Sequence, residues 1–320
     1  MIEVEELTRT YRSRTGILRR RAAIVEALRG VTFSVERGEL FGLLGPNGAG
    51  KTTMIKVLTT LLLPTSGSAR VLGYDVRRDA RRIRGRIGYV FGGERGLYDR
   101  LSALDNLRYF ADLYRVPASK RSARIDALLA LVELKGRERE RVETYSRGMK
   151  QRLHIARGLL HDPEILFLDE PTIGLDPLGA RELRQTIAGL HQAGKTIVLT
   201  THYMFEADAL CQRIAVIANG SFVATGTPSD LKAAVGDHTI VEIETFGIAD
   251  GSLERLREIP GVRSVAIETR EQAQVLLVQS AVGADVVRAL LNELAGTETG
   301  KVITREPTLE DAYVELVKSA

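Results

Sequence analysis

The stretch Gly45-Pro46-Asn47-Gly48-Ala49-Gly50-Lys51-Thr52 decides the fold of this chain. It follows the apolar run Leu40–Leu44, which is typical of a buried strand, and precedes the helix-forming run Thr53–Leu58. A strand, a glycine-rich loop and a helix in this order form a cradle whose backbone N–H groups point at one anion. Lys51 would reach the phosphates of a nucleotide, and the Thr52 hydroxyl would ligate Mg²⁺. The alternative is a glycine-rich turn with a solvated lysine, which the flanking strand and helix disfavour.

A second apolar run, Ile165–Leu168, ends at two adjacent carboxylates, Asp169 and Glu170. Four large apolar residues in a row suit a parallel strand that is buried on both faces. Ligands bind at the carboxyl ends of such strands, and successive side chains point in different directions, so the two carboxylates can take different roles. Asp169 is predicted to hold Mg²⁺ through water, and Glu170 to face the γ-phosphate and orient or deprotonate the attacking water. Pro171 disfavours the alternative, an acidic cap for the next helix.

Two further polar elements flank this strand. Before it, Ser146 is a good N-cap and Gly148 opens the start of a helical run, so this helix start is itself an anion site. After it, a second buried run, Thr196–Thr201, ends at His202. A lone histidine is usually structural, but at the end of a strand in a phosphate-binding sheet we expect it to contact the nucleotide.

Length and composition indicate an intracellular enzyme with two domains. The 320 residues can bury a full core, and the net charge of +4, from 45 basic and 41 acidic residues, does not favour nucleic-acid binding. Cys211 is the single cysteine, which excludes an internal disulfide and suits a reducing compartment. The acidic start Met1–Glu6 lacks the layout of a signal peptide, and no apolar run is long enough to cross a bilayer. We therefore expect any role at a membrane to depend on a partner.

In order along the chain, these elements resemble the ATP-binding cassette (ABC) transporter family over residues 1 to about 230. Gly45–Thr52, followed by Thr53, is similar to the Walker A loop, and Ile165–Asp169 is similar to the Walker B strand. Glu170 and His202 stand where the family has its catalytic glutamate and switch histidine. The resemblance implies an α/β P-loop NTPase cassette, with a mostly parallel sheet, an antiparallel sheet and a helical subdomain at about 92–160.

The segment Tyr145-Ser146-Arg147-Gly148-Met149 resembles the family signature. Its serine and second glycine are retained, while Arg147 and Met149 replace a glycine and a glutamine. Arg147 either adds a charge-assisted contact to a partner's nucleotide or is solvated. Gly174–Pro177, with Asp176, resembles the D-loop. Tyr11 resembles the aromatic residue that stacks on adenine, and an ordinary strand-end tyrosine is the alternative.

The resemblance also implies the partners. ATP and Mg²⁺ would be sandwiched in a head-to-tail homodimer, with the Walker A loop of one copy facing Ser146 and Gly148 of the other. Separately encoded transmembrane permease subunits would dock on the helical subdomain, which would hold the protein on the cytoplasmic face of a prokaryotic cell membrane. Candidate contacts for them are Leu97, Tyr98, Phe110 and Tyr114, although core packing is favoured for the last two.

Two departures from the family pattern stand out. Gly92 follows the strand Ile87–Phe91 where cassettes carry a glutamine that meets Mg²⁺ and the attacking water. Either Glu94 swings in on a glycine hinge or the contact is lost. The arginine-rich segment Arg12–Ala23 is longer than the usual linker, and a solvated loop is favoured over contact with anionic lipid.

Residues 231–320 alternate strand-helix-strand-strand-helix-strand, which is the ferredoxin-like pattern. With the closing segment Pro307–Tyr313, they resemble the C-terminal accessory domain of prokaryotic drug and antibiotic exporters. The expected function is therefore the ATPase subunit of an exporter of a drug, antibiotic, lipid or similar cargo. An importer subunit, a soluble cassette ATPase and a non-hydrolysing binding module are the alternatives. The membrane partner would recognise the cargo, and the sequence pattern does not distinguish ATP from GTP.

Overall fold

The structure, a computed structural model, describes residues 1–15, 21–92, 96–234, 238–248, 251–270, 273–281 and 284–318. The chain divides into two compact units, residues 1–228 and 229–319. The β-strands are β1 (Ile2–Thr15), β2 (Arg21–Val35), β3 (Leu40–Leu44), β4 (Ser66–Val71), β5 (Tyr74–Asp75), β6 (Ile87–Phe91), β7 (Ile165–Asp169), β8 (Thr196–Thr201), β9 (Arg213–Ala218), β10 (Ser221–Gly226), β11 (His238–Phe246), β12 (Val262–Arg270), β13 (Ala273–Ala281) and β14 (Glu298–Arg305). The helices are α1 (Lys51–Leu58), α2 (Ala80–Arg84), α3 (Ala103–Leu113), α4 (Ala118–Leu131), α5 (Arg147–Leu159), α6 (Pro177–Gln192), α7 (Met204–Leu210), α8 (Pro228–Ala233), α9 (Ser252–Glu258), α10 (Ala284–Glu293) and α11 (Leu309–Lys318).

The first unit is built on a six-stranded sheet with the order β10-β9-β3-β8-β7-β6. All neighbours are parallel except β9 and β10. Every residue of β3, β7 and β8 is buried, as expected for strands of a parallel sheet that is covered on both faces. The predicted parallel core is therefore confirmed. Because β3, β8 and β7 are neighbours, the segments that leave their carboxyl ends meet at one edge of the sheet.

An antiparallel sheet with the order β2-β1-β4-β5 packs against this core through Ile2, Val4 and Leu7. The prediction of a loop over Arg12–Ala23 is wrong for residues 12–15 and 21–23. Antiparallel pairing continues from Tyr11↔Val25 to Thr15↔Arg21, so this segment extends the hairpin as two strands. Residues 16–20, between the strands, lie outside the described residues, as do the side chains of residues 12–23.

Helices α3, α4 and α5 form the predicted helical part. Helix α3 begins at Ala103 because the Ser102 side chain accepts the Asp105 N–H at 3.0 Å. Helix α4 begins at Ala118, directly after Pro117. Among the described residues, no helix is both long and apolar enough to span a bilayer.

The second unit is a four-stranded antiparallel sheet with the order β12-β13-β11-β14. Residues of α9 and α10, including Leu256, Leu290 and Leu294, share an apolar core with Val241 and Ile243 of β11. This β-α-β-β-α-β arrangement, with its two helices packed on the sheet, confirms the ferredoxin-like prediction.

Arg305, at the end of β14, holds the start of α11 to the sheet. Its guanidinium contacts Asp311 in bidentate fashion at 2.6 and 3.2 Å, and its Nε donates to Glu242 of β11 at 2.7 Å. Asp311 also accepts the N–H and hydroxyl of Thr308, at 2.8 and 2.7 Å. Burial raises the pKa of Asp311, but the hydrogen bonds from Arg305 and Thr308 outweigh it and leave that pKa below the ordinary value of 3.8.

We expect Asp311→Asn to destabilise the second unit by about 1.5–3 kcal/mol at pH 7, because a hydrogen-bonded and mostly buried charge is lost. The lowered pKa of Asp311 stabilises the folded state above its ordinary value of 3.8, and this contribution is lost as the pH falls through the folded-state pKa. Hydrogen exchange of β14 and α11 in the two proteins should therefore differ at pH 7 and converge in acid. Glu293→Gln, which breaks the exposed pair with Arg255, is the control and should change stability by less than about 1 kcal/mol. Equal effects of the two variants at pH 7 would contradict this account.

Candidate functional site

The loop between β3 and α1 requires its glycines. Gly48 and Gly50 have φ angles of 83° and 113°, in the left-handed region that other residues adopt only with strain. A Cβ on Gly50 would also lie 2.5 Å from the carbonyl oxygen of Ala27. The loop is tied to the neighbouring strand because the Gly45 N–H donates to the Thr201 carbonyl at 3.3 Å. The helix then begins at Lys51, so its first N–H groups lie within the loop's cradle.

Lys51 is a buried cation at the centre of the site. The residue is only 4% exposed, and its Nζ donates to the carbonyls of Gly45 and Pro46 at 2.7 and 3.1 Å. The same Nζ forms an ion pair with Oε1 of Glu170 at 3.1 Å. This ion pair directly joins the loop after β3 to the end of β7, two segments that were predicted separately from distant stretches of sequence.

Asp169, at the end of β7, is surrounded by hydroxyl groups. Its Oδ1 accepts from Thr52 at 3.2 Å and from Thr200 at 2.6 Å, and its Oδ2 accepts from Tyr89 at 3.4 Å. Burial, followed by the charge of Asp169, raises the pKa of Tyr89, so this phenol stays protonated and remains a donor. Thr200 and Tyr89 are not among the predicted site residues, although hydroxyls near the ends of strands predicted to be buried are a usable signal.

Glu170 lies between Lys51 and His202. Its Oε2 is 3.2 Å from Nδ1 of His202, while its Oε1 contacts Lys51. The backbone of Glu170 is left-handed, with a φ of 50°, and its N–H donates to both the carbonyl and the hydroxyl of Thr200, at 3.0 and 3.1 Å. A carboxylate held between an ammonium group and an imidazole can accept a proton from a nearby water.

Tyr11 reaches the same helix start from the antiparallel sheet. Its hydroxyl lies 3.4 Å from Oγ1 of Thr53, and the guanidinium of Arg9 lies over its ring, 4.7 Å from the centroid. An aromatic ring and a cation therefore border the loop on the side of α1.

The signature residues form a second group, at the start of α5. Ser146 caps this helix by accepting the Met149 N–H at 3.2 Å, and the sulfur of Met149 accepts from Arg137 at 3.4 Å. Arg147 donates to the Gly174 carbonyl at 3.5 Å. Met149 is buried, whereas Ser146 and Arg147 are exposed, so the helix start faces outward.

Asp176 caps the next helix, α6, by accepting the Gly179 N–H at 3.1 Å. The starts of α5 and α6 lie close together at Gly148 and Gly179. A Cβ on Gly148 would lie 3.6 Å from the Cα of Gly179. The predicted site residues thus form two clusters, one around Lys51 and one around Ser146.

Gly92 lies close to the catalytic strand. Its N–H donates to the Asp169 carbonyl at 2.7 Å, and a Cβ at this position would be 2.4 Å from the Glu170 carbonyl oxygen. On this backbone only glycine fits, so a glutamine could not stand here without a shift of the main chain. The proposed substitute, Glu94, lies outside the described residues.

Mg²⁺ fits the donors that are present. The carboxylate of Asp169 and the hydroxyl of Thr52 are hard oxygen ligands 3.2 Å apart. Within the described ranges, no group of three or more His, Cys, Asp or Glu side chains forms a metal cage. Mg²⁺ is commonly held by one or two carboxylates together with substrate phosphates, so this sparse set suits it.

Comparisons with known proteins agree with this geometry. Residues 28–173 match the profile of the family described as "ABC transporter". The chain is 33% identical over 318 residues to the linearmycin resistance ATP-binding protein LnrL of Bacillus subtilis, covering 99% of this chain and 98% of that protein. It is 40% identical over 291 residues to the daunorubicin resistance ATP-binding protein DrrA3 of Streptomyces coeruleorubidus, covering 91% of each.

Among solved structures, the ATP-binding cassette MJ0796, described as a dimer in a post-hydrolysis state bound to ADP and Pi, superposes with a TM-score of 0.62. The identity is 27%, and the match covers 71% of this chain and 98% of that one. The chain therefore belongs to the ABC transporter family and is one of its ATP-hydrolysing, nucleotide-binding subunits, homologous to drug-resistance ATP-binding proteins.

Proposed function

We propose that residues 45–53 bind the phosphates of ATP and that Glu170 activates the water that attacks the γ-phosphate. The observation that carries this proposal is the convergence at Lys51, which contacts both its own loop and Glu170. An ammonium group beside the first N–H groups of a helix is suited to a triphosphate. Tyr11, at the Thr53 end of the loop, is the candidate for stacking on the base.

Asp169 and Thr52 are the residues that would hold Mg²⁺, because their oxygens lie together at the start of α1. The bound ion would neutralise charge on the phosphates. Glu170 would accept the proton of the attacking water. His202 contacts Oε2 of Glu170, and it would orient this carboxylate and border the γ-phosphate. Binding of ATP would also give Lys51 new anionic partners and thereby loosen its hold on Glu170.

We further propose that the site is completed by a second copy of the chain. The start of α5 is a capped helix end whose Ser146 and Arg147 side chains are exposed, and such an end attracts phosphate. Ile173, before α6, is 41% exposed, and Leu178, within α6, is 63% exposed. Both side chains would be covered in the dimer. The dimeric state of the MJ0796 cassette supports a head-to-tail arrangement.

The proposed cellular role is to power export of a drug, antibiotic or similar molecule through separate permease subunits. The support is the similarity to the linearmycin resistance ATP-binding protein LnrL and the daunorubicin resistance ATP-binding protein DrrA3. Tyr98 and Tyr114, at the helical part, are 47% and 39% exposed and are candidate contacts for a permease, whereas Phe110 is half-buried. The protein would then work at the cytoplasmic face of the membrane. The second unit would act as an accessory domain in dimer contacts or regulation.

Glu170→Gln should retain ATP binding and lower the hydrolysis rate by ~10²–10⁴-fold, because the amide cannot accept the proton. Lys51→Ala should instead abolish nucleotide binding. Phosphate release and binding of a fluorescent ATP analogue, measured on the full chain, separate the two effects. Hydrolysis at the wild-type rate in Glu170→Gln would refute the assignment of the base.

The dimer can be tested by cross-linking in a Cys211→Ala background, which removes the single cysteine. With Asn47→Cys and Arg147→Cys, a short bismaleimide should join two chains when ATP is bound and Glu170→Gln stalls turnover. Asn47→Cys with Asp126→Cys, on the exposed side of α4, is the control and should stay uncross-linked. Equal yields for the two pairs, or a yield that ignores ATP, would exclude the head-to-tail seam.

Removal of residues 229–320 should lower the ATP-dependent cross-linking yield of the Asn47/Arg147 pair or change the ATPase rate, if the second unit has the proposed accessory role. The cut falls at the boundary between the two compact units. Unfolding by circular dichroism checks that residues 1–228 remain folded. Unchanged dimerisation, ATPase rate and transport in a folded truncated protein would rule that role out.

A further inference from the structure

Thr200 occupies the position before the last residue of β8 and is fully buried. Its hydroxyl contacts two adjacent residues of the neighbouring strand end. It donates to Oδ1 of Asp169 at 2.6 Å and accepts the N–H of Glu170 at 3.1 Å. A hydroxyl has one proton to donate, so these two contacts fix its orientation without ambiguity.

The contact with Asp169 is the shortest of the three hydroxyl contacts of that carboxylate. Thr52 approaches the same oxygen at 3.2 Å, and Tyr89 approaches the other oxygen at 3.4 Å. The carboxylate is 6% exposed, so water cannot easily replace a lost donor. If the Thr52 hydroxyl binds a metal ion instead of Asp169, the Thr200 hydroxyl remains as the close donor that fixes the orientation of the Asp169 carboxylate.

The contact with Glu170 acts on the backbone. Glu170 has a left-handed φ of 50°, and its N–H is shared between the carbonyl and the hydroxyl of Thr200. Residues in sparsely populated backbone conformations persist only where the surroundings hold them. Through one oxygen atom, the neighbouring strand therefore constrains both the carboxylate of Asp169 and the peptide of Glu170.

We propose that Thr200 is a positioning residue that sets the affinity of the site for Mg²⁺ by orienting Asp169, and that sets the catalytic rate by holding the peptide of Glu170. This inference rests on the proposed function, in which Asp169 is a metal ligand and Glu170 the base. Groups that orient a metal ligand are commonly as sensitive to mutation as the ligand itself.

The test compares three variants of Thr200 in the full chain. Thr200→Val keeps the branched side chain that suits a buried strand and removes the hydroxyl. Thr200→Ser and Thr200→Ala both remove the methyl group and differ from each other by one oxygen. The Ser/Ala pair thus isolates the hydroxyl even if Thr200→Val fails to fold.

The first readout is the Mg²⁺ concentration that half-saturates binding of a non-hydrolysable fluorescent ATP analogue. We expect it to rise by about 10-fold or more in Thr200→Val and Thr200→Ala, and to stay within about 2-fold of wild type in Thr200→Ser. Nucleotide binding in excess chelator, without Mg²⁺, should be the same in all three. The second readout is ATP hydrolysis at saturating Mg²⁺, where kcat should fall by about 10-fold or more without the hydroxyl while KM for ATP changes little.

Thr196→Val is the matched control. Thr196 lies at the other end of β8 and is also buried, and its hydroxyl accepts the Gly38 N–H at 2.8 Å. It pairs with Ile165, at the end of β7 opposite to Asp169. Thr196→Val should leave the Mg²⁺ concentration that half-saturates nucleotide binding unchanged. An unaltered Mg²⁺ dependence in Thr200→Ala, or an equal shift in Thr200→Ser and Thr200→Ala, would overturn the inference. Failure of the proposed function itself would look different, because the wild-type protein would then show no Mg²⁺-dependent nucleotide binding.

Discussion

The burial of the Lys51 ammonium group is the constraint on which the site depends. Moving an ion out of water costs several kcal/mol unless other groups solvate it. Here the carbonyls of Gly45 and Pro46 and the carboxylate of Glu170 take that role. The carbonyls come from the loop after β3 and the carboxylate from the end of β7, with β8 between the two strands. The lysine is therefore satisfied only when the parallel sheet has formed in its correct order.

Under the proposed function, the same arrangement would link nucleotide binding to hydrolysis. In the structure Glu170 is held by Lys51 on one side and His202 on the other. While Oε1 of Glu170 contacts the ammonium group of Lys51 at 3.1 Å, that oxygen is occupied and is not open to a water. A phosphate that takes over the lysine would leave Glu170 free to accept a proton when substrate is in place. The loop that recognises the nucleotide would thereby also control the base.

Much of this site was predictable because its signals are local. The loop at 45–52, the carboxylates after Ile165–Leu168 and the histidine after Thr196–Thr201 are each read within a few residues, and the parallel sheet collects them. Thr200 and Tyr89 were missed because their contacts with Asp169 depend on which strands are neighbours, and sequence spacing does not give that order. The pairing of residues 12–15 with residues 21–24 was missed for a related reason, because a run of charged residues is typical of a loop and the sequence does not show which strand it pairs with. Whether Ser146 faces another chain depends on a second molecule and stays a prediction.

The close approach of Gly92 to the carbonyl of Glu170 has a consequence for how this protein can change. A Cβ would overlap a backbone oxygen at 2.4 Å, and the methyl group of Ile173 would be 2.7 Å away. Because the obstacle is main chain rather than a flexible side chain, no rotamer change relieves it. A glutamine could enter only if β6 and the turn after β7 moved apart together. Any side chain at position 92 therefore requires a second, coordinated change in the turn that carries Glu170 and Ile173.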